Sequence, residues 1–340
     1  LACKLIDFVA GVSGFANLGE AQSTVGRITM TPQDLRYIQN LRFRLRVYQS
    51  DGQAYEDFFT QIMLKRYTDF RQVKPQGTLG DRKNDGFIPS TGTYHQVFAP
   101  EDVYKGDVYG GDKLEADFKG LLKNWDQAGQ VRRFFYTLND KFKGAGPTVE
   151  QTIDKLRRKH AGKTIASFLA AQLGDEFMRL SEDHQNEILG GMTPEIDGEL
   201  LDASALSEVV SYLLKNTTPP QYLAYTPDPD FVAKITFNAL TEITVATLRH
   251  YNVEANAVLP PYFKYKPKSE RQQLALIFSQ MYQKGRQLFA GDPQADDLVF
   301  FYILEHCAPS KRKFHQQAVF VLMSYFFETC DIFETPPKKP

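Results

Sequence analysis

Cysteine is scarce in this chain: there are three among 340 residues, Cys3, Cys307 and Cys330. They have neither CxxC spacing nor an even framework, which argues against a zinc site and a disulfide scaffold and fits a reducing, cytoplasmic setting. Long apolar runs are missing, so no segment reaches the length of a membrane span. The first residues, Leu1 to Ala10, lack both the basic start and the extended apolar stretch of a secretory signal. Net charge is nearly absent, 40 basic against 41 acidic residues. Whole-chain attraction to a polyanion is thereby excluded, and any nucleic-acid contact has to come from local basic patches. There is no Gly-x-x-x-x-Gly-Lys-Ser/Thr segment, so a P-loop ATPase is excluded. Internal repeats and low-complexity tracts are missing as well.

What is present is an ordinary globular composition, 42% hydrophobic and 24% charged, in a chain long enough for two domains. Residues 1–29 read as an N-terminal extension foreign to the domain behind it. Met30-Thr31-Pro32-Gln33-Asp34 looks like a natural start, with Thr31 as N-cap and Pro32 at the first helical position. Residues 30–190 alternate helical and extended patterns: helix over Asp34 to Met63, a short strand over Phe70 to Lys74, a hairpin, a helix carrying Leu114, Phe118, Leu121, Leu122 and Trp125, and an aromatic strand over Phe134 to Leu138. From Thr148 to Leu189 the apolar spacing, Ile165 and Phe168 included, reads as helical. Residues 191–230 form a helical linker region rich in Gly and Pro breaks. Residues 231–337 read as all-helical, with Val232 to Tyr251 as one helix and Ala318 to Phe327 as a buried one, apolar all round. The fold class expected is α/β: an α/β/α core followed by an all-α C-terminal domain.

The most informative stretch is Gly80-Asp81-Arg82-Lys83-Asn84-Asp85-Gly86-Phe87, followed by Tyr94-His95-Gln96-Val97-Phe98-Ala99-Pro100. Pro89-Ser90-Thr91-Gly92 between them is a turn signal. Centring the turn between Ser90 and Thr91 sets Asp85 opposite Gln96, Phe87 opposite Tyr94 and Lys83 opposite Phe98. Alternation then puts Lys83, Asp85, Gln96 and Phe98 on one face and turns His95 away from it, which argues against a His general base. A carboxylate and an amide oxygen on one face suit a hard divalent cation, Mg²⁺ or Mn²⁺, able to activate water against a phosphodiester. Glu56, beside the helical stripe Tyr55, Phe58, Phe59, Ile62 and Met63, is placed to reach over the sheet; its plainer role is a solvated surface acid. Asp81 competes with Asp85 for the metal, or makes a local turn hydrogen bond. Arg82, flanking the site, and Lys74 are the basic residues expected to touch DNA. Arg42, Arg44, Arg46, Lys65-Arg66, Arg132-Arg133 and Arg157-Arg158-Lys159-His160 are further basic patches, each more simply a salt-bridge partner. Trp125 is most simply core.

Asn84-Asp85-Gly86 and Gln96-Val97-Phe98, preceded by the Glu56 helix, resemble the Mrr-like branch of the PD-(D/E)XK nucleases of the restriction endonuclease-like fold. The resemblance implies a metal-dependent deoxyribonuclease with Glu56, Asp85 and Gln96 around the ion. One departure stands out: Phe98 occupies the position of the family lysine, and Lys83 is the substitute expected on the same face. In the C-terminal third, Lys234-Ile235-Thr236-Phe237-Asn238-Ala239-Leu240 and Tyr325-Phe326-Phe327-Glu328-Thr329-Cys330-Asp331-Ile332-Phe333-Glu334 resemble the C-terminal domain of effectors in ABC three-component, Lamassu-like antiphage defence systems. That resemblance implies partners: an SMC-like ABC ATPase and a middle adaptor subunit, with the nuclease as output. Because one site cuts one strand and paired sites cut a duplex, a homo-oligomer on activation is expected from the class of mechanism. Three rivals stay open: a nuclease-fold DNA-binding module without catalysis, a purely structural adaptor, and a stand-alone restriction endonuclease.

Overall fold

The computed structural model describes residues 30–74, 82–191, 201, 203–217, 231–329 and 331–337. The proposed extension, Asp81 and most of the linker region lie outside them. The chain divides into two compact units, one formed by Gln33–Thr193 with Gln283–Tyr302, the other by Pro194–Tyr282 with Ile303–Pro340.

The first unit opens with helices α1 (Pro32–Gln49) and α2 (Gly52–Arg66). Strands β1 (Arg71–Gln72), β2 (Gly86–Ile88) and β3 (Thr93–Phe98) come next, then α3 (Val103–Trp125) and β4 (Arg133–Leu138). After them stand α4 (Pro147–Lys159), β5 (Thr164–Phe168), α5 (Ala170–Met178) and α6 (Glu182–Leu189). The strands build one five-stranded sheet in the order β1-β2-β3-β4-β5. β1, β2 and β3 are antiparallel neighbours, whereas β3, β4 and β5 are parallel. Parallel strands need a crossover, and α3 and α4 supply the two that occur here.

Both sheet faces are covered, as the apolar strand sequences require. On one face, Tyr94, Phe134, Tyr136 and Ile165 are buried with Leu114, Phe118 and Leu121 of α3 and Val149, Ile153 and Leu156 of α4. On the other, Ile88 and Val97 are buried with Phe58, Phe59 and Ile62 of α2 and Leu173 and Phe177 of α5. The unit is therefore the expected α/β/α sandwich. Gln283–Tyr302 adds Phe289 edge-on to Tyr48 at 5.1 Å, and Asp292, which accepts from the Tyr48 hydroxyl at 2.6 Å and pairs with Arg44.

One element departs from expectation. Thr164–Phe168 is a strand, not helix. Ile165 and Phe168 stand three apart and so satisfy helical spacing, but α4 ends at Lys159 with His160 outside helical φ/ψ, and pairing with β4 then decides the conformation.

The second unit is helical among its described residues: α7 (Ala203–Asn216), α8 (Phe231–Phe237), α9 (Glu242–Lys264), most of α10 (Lys268–Leu288), the end of α11 (Ala295–Cys307) and α12 (Lys313–Glu328). The helix expected over Val232 to Tyr251 is broken into α8 and α9, with Ala239 at φ 46° between them and Thr241 as N-cap of the second. In α12 every residue from Ala318 to Met323 is buried, as an all-apolar helix should be.

Candidate functional site

Asp85 lies where the antiparallel and parallel halves of the sheet approach each other. Its backbone is stitched between neighbours: its N–H donates to the His95 carbonyl at 3.0 Å, and its carbonyl accepts from Val73 N–H at 3.1 Å. β2 stops pairing at Gly86, which would leave the Val97 N–H of β3 without a strand partner. The Asp85 carboxylate fills that place, accepting from Val97 N–H and, through the same oxygen, from the Gln96 side-chain amide at 2.7 Å. Both side chains are buried. Gly86 must come next, because a Cβ there would stand 2.3 Å from the Phe70 ring.

The hairpin register is the expected one, with Phe87 opposite Tyr94, Gly86 opposite His95 and Ile88 opposite Thr93. The face assignment agrees with it. Tyr94 and Phe98 pack with the α3/α4 layer and Val97 with the α2/α5 layer, so Gln96 belongs to the α3 side. His95 points the other way, enclosed by the rings of Phe59 at 5.1 Å, Phe135 at 5.3 Å and Phe168 at 5.4 Å, with Nδ1 3.0 Å from the Thr137 hydroxyl. Burial pulls its pKa down from 6.5 to about 3, so it is neutral and unsuited to general-base work.

Around the Asp85–Gln96 pair, buried polar atoms accumulate without partners. The Gln96 Oε1, both amide atoms of Asn84 and the Tyr136 hydroxyl have none, and Asn84 and Tyr136 are 0% exposed. Each such group costs roughly 1–3 kcal/mol when left unmet, and native interiors hold few of them. Tyr136 is the register neighbour of Gln96 on β4. Its acidity is suppressed by burial and, secondarily, by the negative charge of Asp117.

Lys83 differs from expectation. β2 begins at Gly86, so no strand pairing sets Lys83 against Phe98. Arg82 and Lys83 have φ of 54° and 68°, and the chain has left the extended form there. Lys83 instead reaches α3, where its ammonium pairs with Asp117 at 2.9 Å. Above Phe98 stands Lys113, its ammonium 5.5 Å from the ring centroid, and it pairs with the second Asp117 oxygen. Asp117, Lys113, Tyr136 and Asn84 escaped the sequence reading. Asp117 carried a signal nonetheless: it falls between Leu114, Phe118 and Leu121, a charge on the buried stripe of an amphipathic helix.

Glu56 is half-buried near the start of α2, the helix that covers the Val97 face, opposite the face to which Gln96 belongs. Arg82 and Lys74 are exposed. The Arg82 carbonyl accepts from the Trp125 indole at 3.2 Å, while Trp125 packs 5.4 Å from Phe87. Asp102 caps α3, accepting from the N–H groups of Tyr104 and Lys105. Several basic residues serve structure: Arg42 bonds the Gly191 carbonyl, Arg44 pairs with Asp292, and Arg157 bonds the Ile165 carbonyl. Among the described residues no group of three or more His, Cys, Asp or Glu side chains stands together as a metal cluster, and no helix is long and apolar enough to cross a membrane.

Residues 204–334 match the family model of C-terminal domain 10 of the ABC-three component (ABC-3C) systems. That span contains both C-terminal motifs that carry the same link in the sequence. No curated protein and no solved structure matches the chain.

Proposed function

We propose that this chain is the effector of an ABC-three component antiphage defence system, and that its first unit is a divalent-metal-dependent endonuclease acting on DNA. The C-terminal match supports the system, and with it an SMC-like ABC ATPase and a middle adaptor as partners in the cytoplasm. For the activity, the carrying observation is the buried Asp85–Gln96 pair at the junction of an antiparallel β1-β2-β3 meander and a parallel β4, with the amide oxygen of Gln96 left without a partner. The helix of Glu56, then Asp85 at the entry of β2, then Gln96 on β3 is also the order of site residues that the nuclease resemblance implies.

The donor set fits a hard cation in part. Asp85 offers a carboxylate and Gln96 an uncommitted oxygen, whereas Glu56, the third donor implied by the resemblance, belongs to the helix over the opposite sheet face and is not counted in the set. Mg²⁺ keeps several water ligands and is commonly completed by substrate phosphate, so a lean protein set is compatible with it. Bound there, the ion would lower the pKa of a water and polarise the phosphodiester. The protein's own part is to hold the carboxylate and amide rigidly and to keep the phenol of Tyr136 neutral. Because Gln96 adds no charge, little metal is expected on the protein before DNA arrives.

One observation favours a second reading, a nuclease-fold DNA-binding module without catalysis: Phe98, at the family lysine position, is stacked on Tyr136 at 5.7 Å. Plasmid nicking by the full chain in Mg²⁺ or Mn²⁺ separates the two. The enzyme reading expects nicking by wild type and none by Asp85→Ala. Equal behaviour of the two proteins would discard it.

A further inference from the structure

A small cavity opens at the tip of the hairpin, where the loop before β4 passes the turn between β2 and β3. Its volume is about 250 Å³, and Phe87, Ser90, Gly92, Tyr94, Gln130 and Arg132 are among its walls. Sites for drug-sized ligands run to roughly 300–1,000 Å³, so this one suits a single ring system. Phe87 and Tyr94 stack at 5.3 Å with their planes 9° apart, and Trp125 packs on both at 5.4 and 6.1 Å. Tyr94 is buried, while Phe87 is half-buried and keeps part of its surface open.

The polar wall comes from the loop. The Gly92 carbonyl accepts from the N–H groups of Arg132 and Arg133, both at 3.0 Å, and so ties the turn to the loop. Gly92 has φ 63°, and a Cβ on it would stand 2.5 Å from the Gln130 carbonyl oxygen and 3.1 Å from Arg132 Cγ. The stem of Arg132 therefore packs where only glycine leaves room. A salt bridge was the simpler expectation for Arg132, but among the described residues no carboxylate pairs with it, and the side-chain amide of Gln130 makes no hydrogen bond. No Asp or Glu lines the cavity. Asp69 accepts from the Ser90 N–H at 3.1 Å, and Asp126 is paired with Lys163 at 2.7 Å.

An aromatic wall beside a planar guanidinium and a carboxamide calls for a flat ligand with acceptors along its edge. Guanine presents two, N7 and O6, which match the fork of an Arg, whereas adenine presents one acceptor and one donor there. We propose that this cavity binds a purine base, guanine in preference to adenine, with Phe87 as the apolar wall and Arg132 and Gln130 on the edge of the ring. A free nucleotide and an unpaired base of a nucleic-acid strand carry the same ring and edge. A base stacked inside a duplex has to be extruded before it can enter such a cavity. The inference goes beyond the endonuclease function and needs no metal.

The test titrates the full chain in EDTA with guanosine monophosphate, adenosine monophosphate, a short thymine oligonucleotide carrying one central guanine, and the same strand without it. Binding is read by calorimetry and by the emission of Trp125, and thermal melts accompany each variant. A guanine ligand should bind saturably, about fivefold or more tighter than its partner without guanine, the lower end of what one bidentate Arg contact discriminates. Arg132→Gln should weaken guanine about tenfold and erase its advantage over adenine, with the melting temperature unchanged. Binding of the guanine strand well above guanosine monophosphate assigns the site to an unpaired base in a strand, and equal binding of the two assigns it to a free nucleotide. No saturable binding by wild type, equal affinity for guanine and adenine, or full guanine affinity in Arg132→Gln overturns the proposal. Phosphodiester cleavage enters none of these readouts, so the endonuclease function stands or falls separately on plasmid nicking.

Discussion

Gln96→Glu turns the central hydrogen bond of the site into a repulsion, and its size can be worked from the geometry. The amide nitrogen donates to Asp85 over 2.7 Å, with both side chains buried. Two carboxylates at about 4 Å repel by roughly 4 kcal/mol at an effective dielectric constant near 20. The lost bond to a charged acceptor removes a further 1.5–3 kcal/mol or so. A shared proton relieves such a pair, so one of its acids titrates above the ordinary carboxylate range. Stability is then present at low pH and is lost as pH rises. At pH 8 in EDTA the variant should lie about 5–7 kcal/mol below wild type, a fall of roughly 15–20 °C in melting temperature for a unit of this size. At pH 5 most of that gap should close. Millimolar Mg²⁺ or Mn²⁺ should recover part of it, because an ion at a hundred times its Kd restores about 2.7 kcal/mol. Wild type should gain little from the same ion. The assay has a built-in reporter, since the only tryptophan of the chain, Trp125, packs against Phe87 and Tyr94 of this unit. A Gln96→Glu protein that melts with wild type in EDTA, or that shows no divalent-specific gain, refutes the idea that these two side chains face a cation site.

Gly120→Ala tests the packing of Lys83 on α3 without touching a charge. The new methyl meets Lys83 Cγ at 2.8 Å, while helix propensity gains about 1 kcal/mol, so nicking should fall several-fold with the melting temperature nearly unchanged; a full rate would show that Lys83 is not held for function. His95, neutral in the fold with a pKa near 3, takes up a proton only on unfolding between pH 6.5 and 3. Stability is therefore complete above pH 6.5 and falls below it, by about 5 kcal/mol over the window at 1.36 kcal/mol per unit. His95→Gln should flatten the slope of denaturant stability between pH 6 and 4, and an unaltered slope would assign acid sensitivity elsewhere. In the second unit Lys234, 0% exposed, donates to the carbonyls of Phe327 and Ile332 at 2.6 Å each. Lys234→Met takes the ammonium from both carbonyls, leaving Phe327 only the Thr329 N–H, and should cost about 2–4 kcal/mol in a chemical melt; a neutral outcome would mean that water replaces the ammonium.

How much of this was legible in the sequence depended on how local each determinant is. The hairpin register was legible because a four-residue turn and the alternation beside it act within one stretch of chain, and Phe87 meets Tyr94 as the turn dictates. α12 was legible because an all-apolar segment admits few environments. β5 was not, because a parallel strand is defined by its distant partner, and Ile165 and Phe168 satisfy helical spacing equally well. Lys83 failed for a related reason: alternation was extended past the end of β2 into residues that take positive φ, and a periodic rule has no force where the backbone has left the period. The lysine that does stand over Phe98 comes from the crossover helix, at a distance in sequence that no strand register encodes. Asp117 was the one remote residue the chain did announce, since a carboxylate on a buried helical stripe has to be met by cations from somewhere. Asking which cations could reach it leads to Lys113 one turn earlier and, from outside the helix, to the basic residues before Asp85. A misplaced charge in an apolar stripe therefore points to partners elsewhere in the chain, because it names a requirement that the rest of the fold has to satisfy.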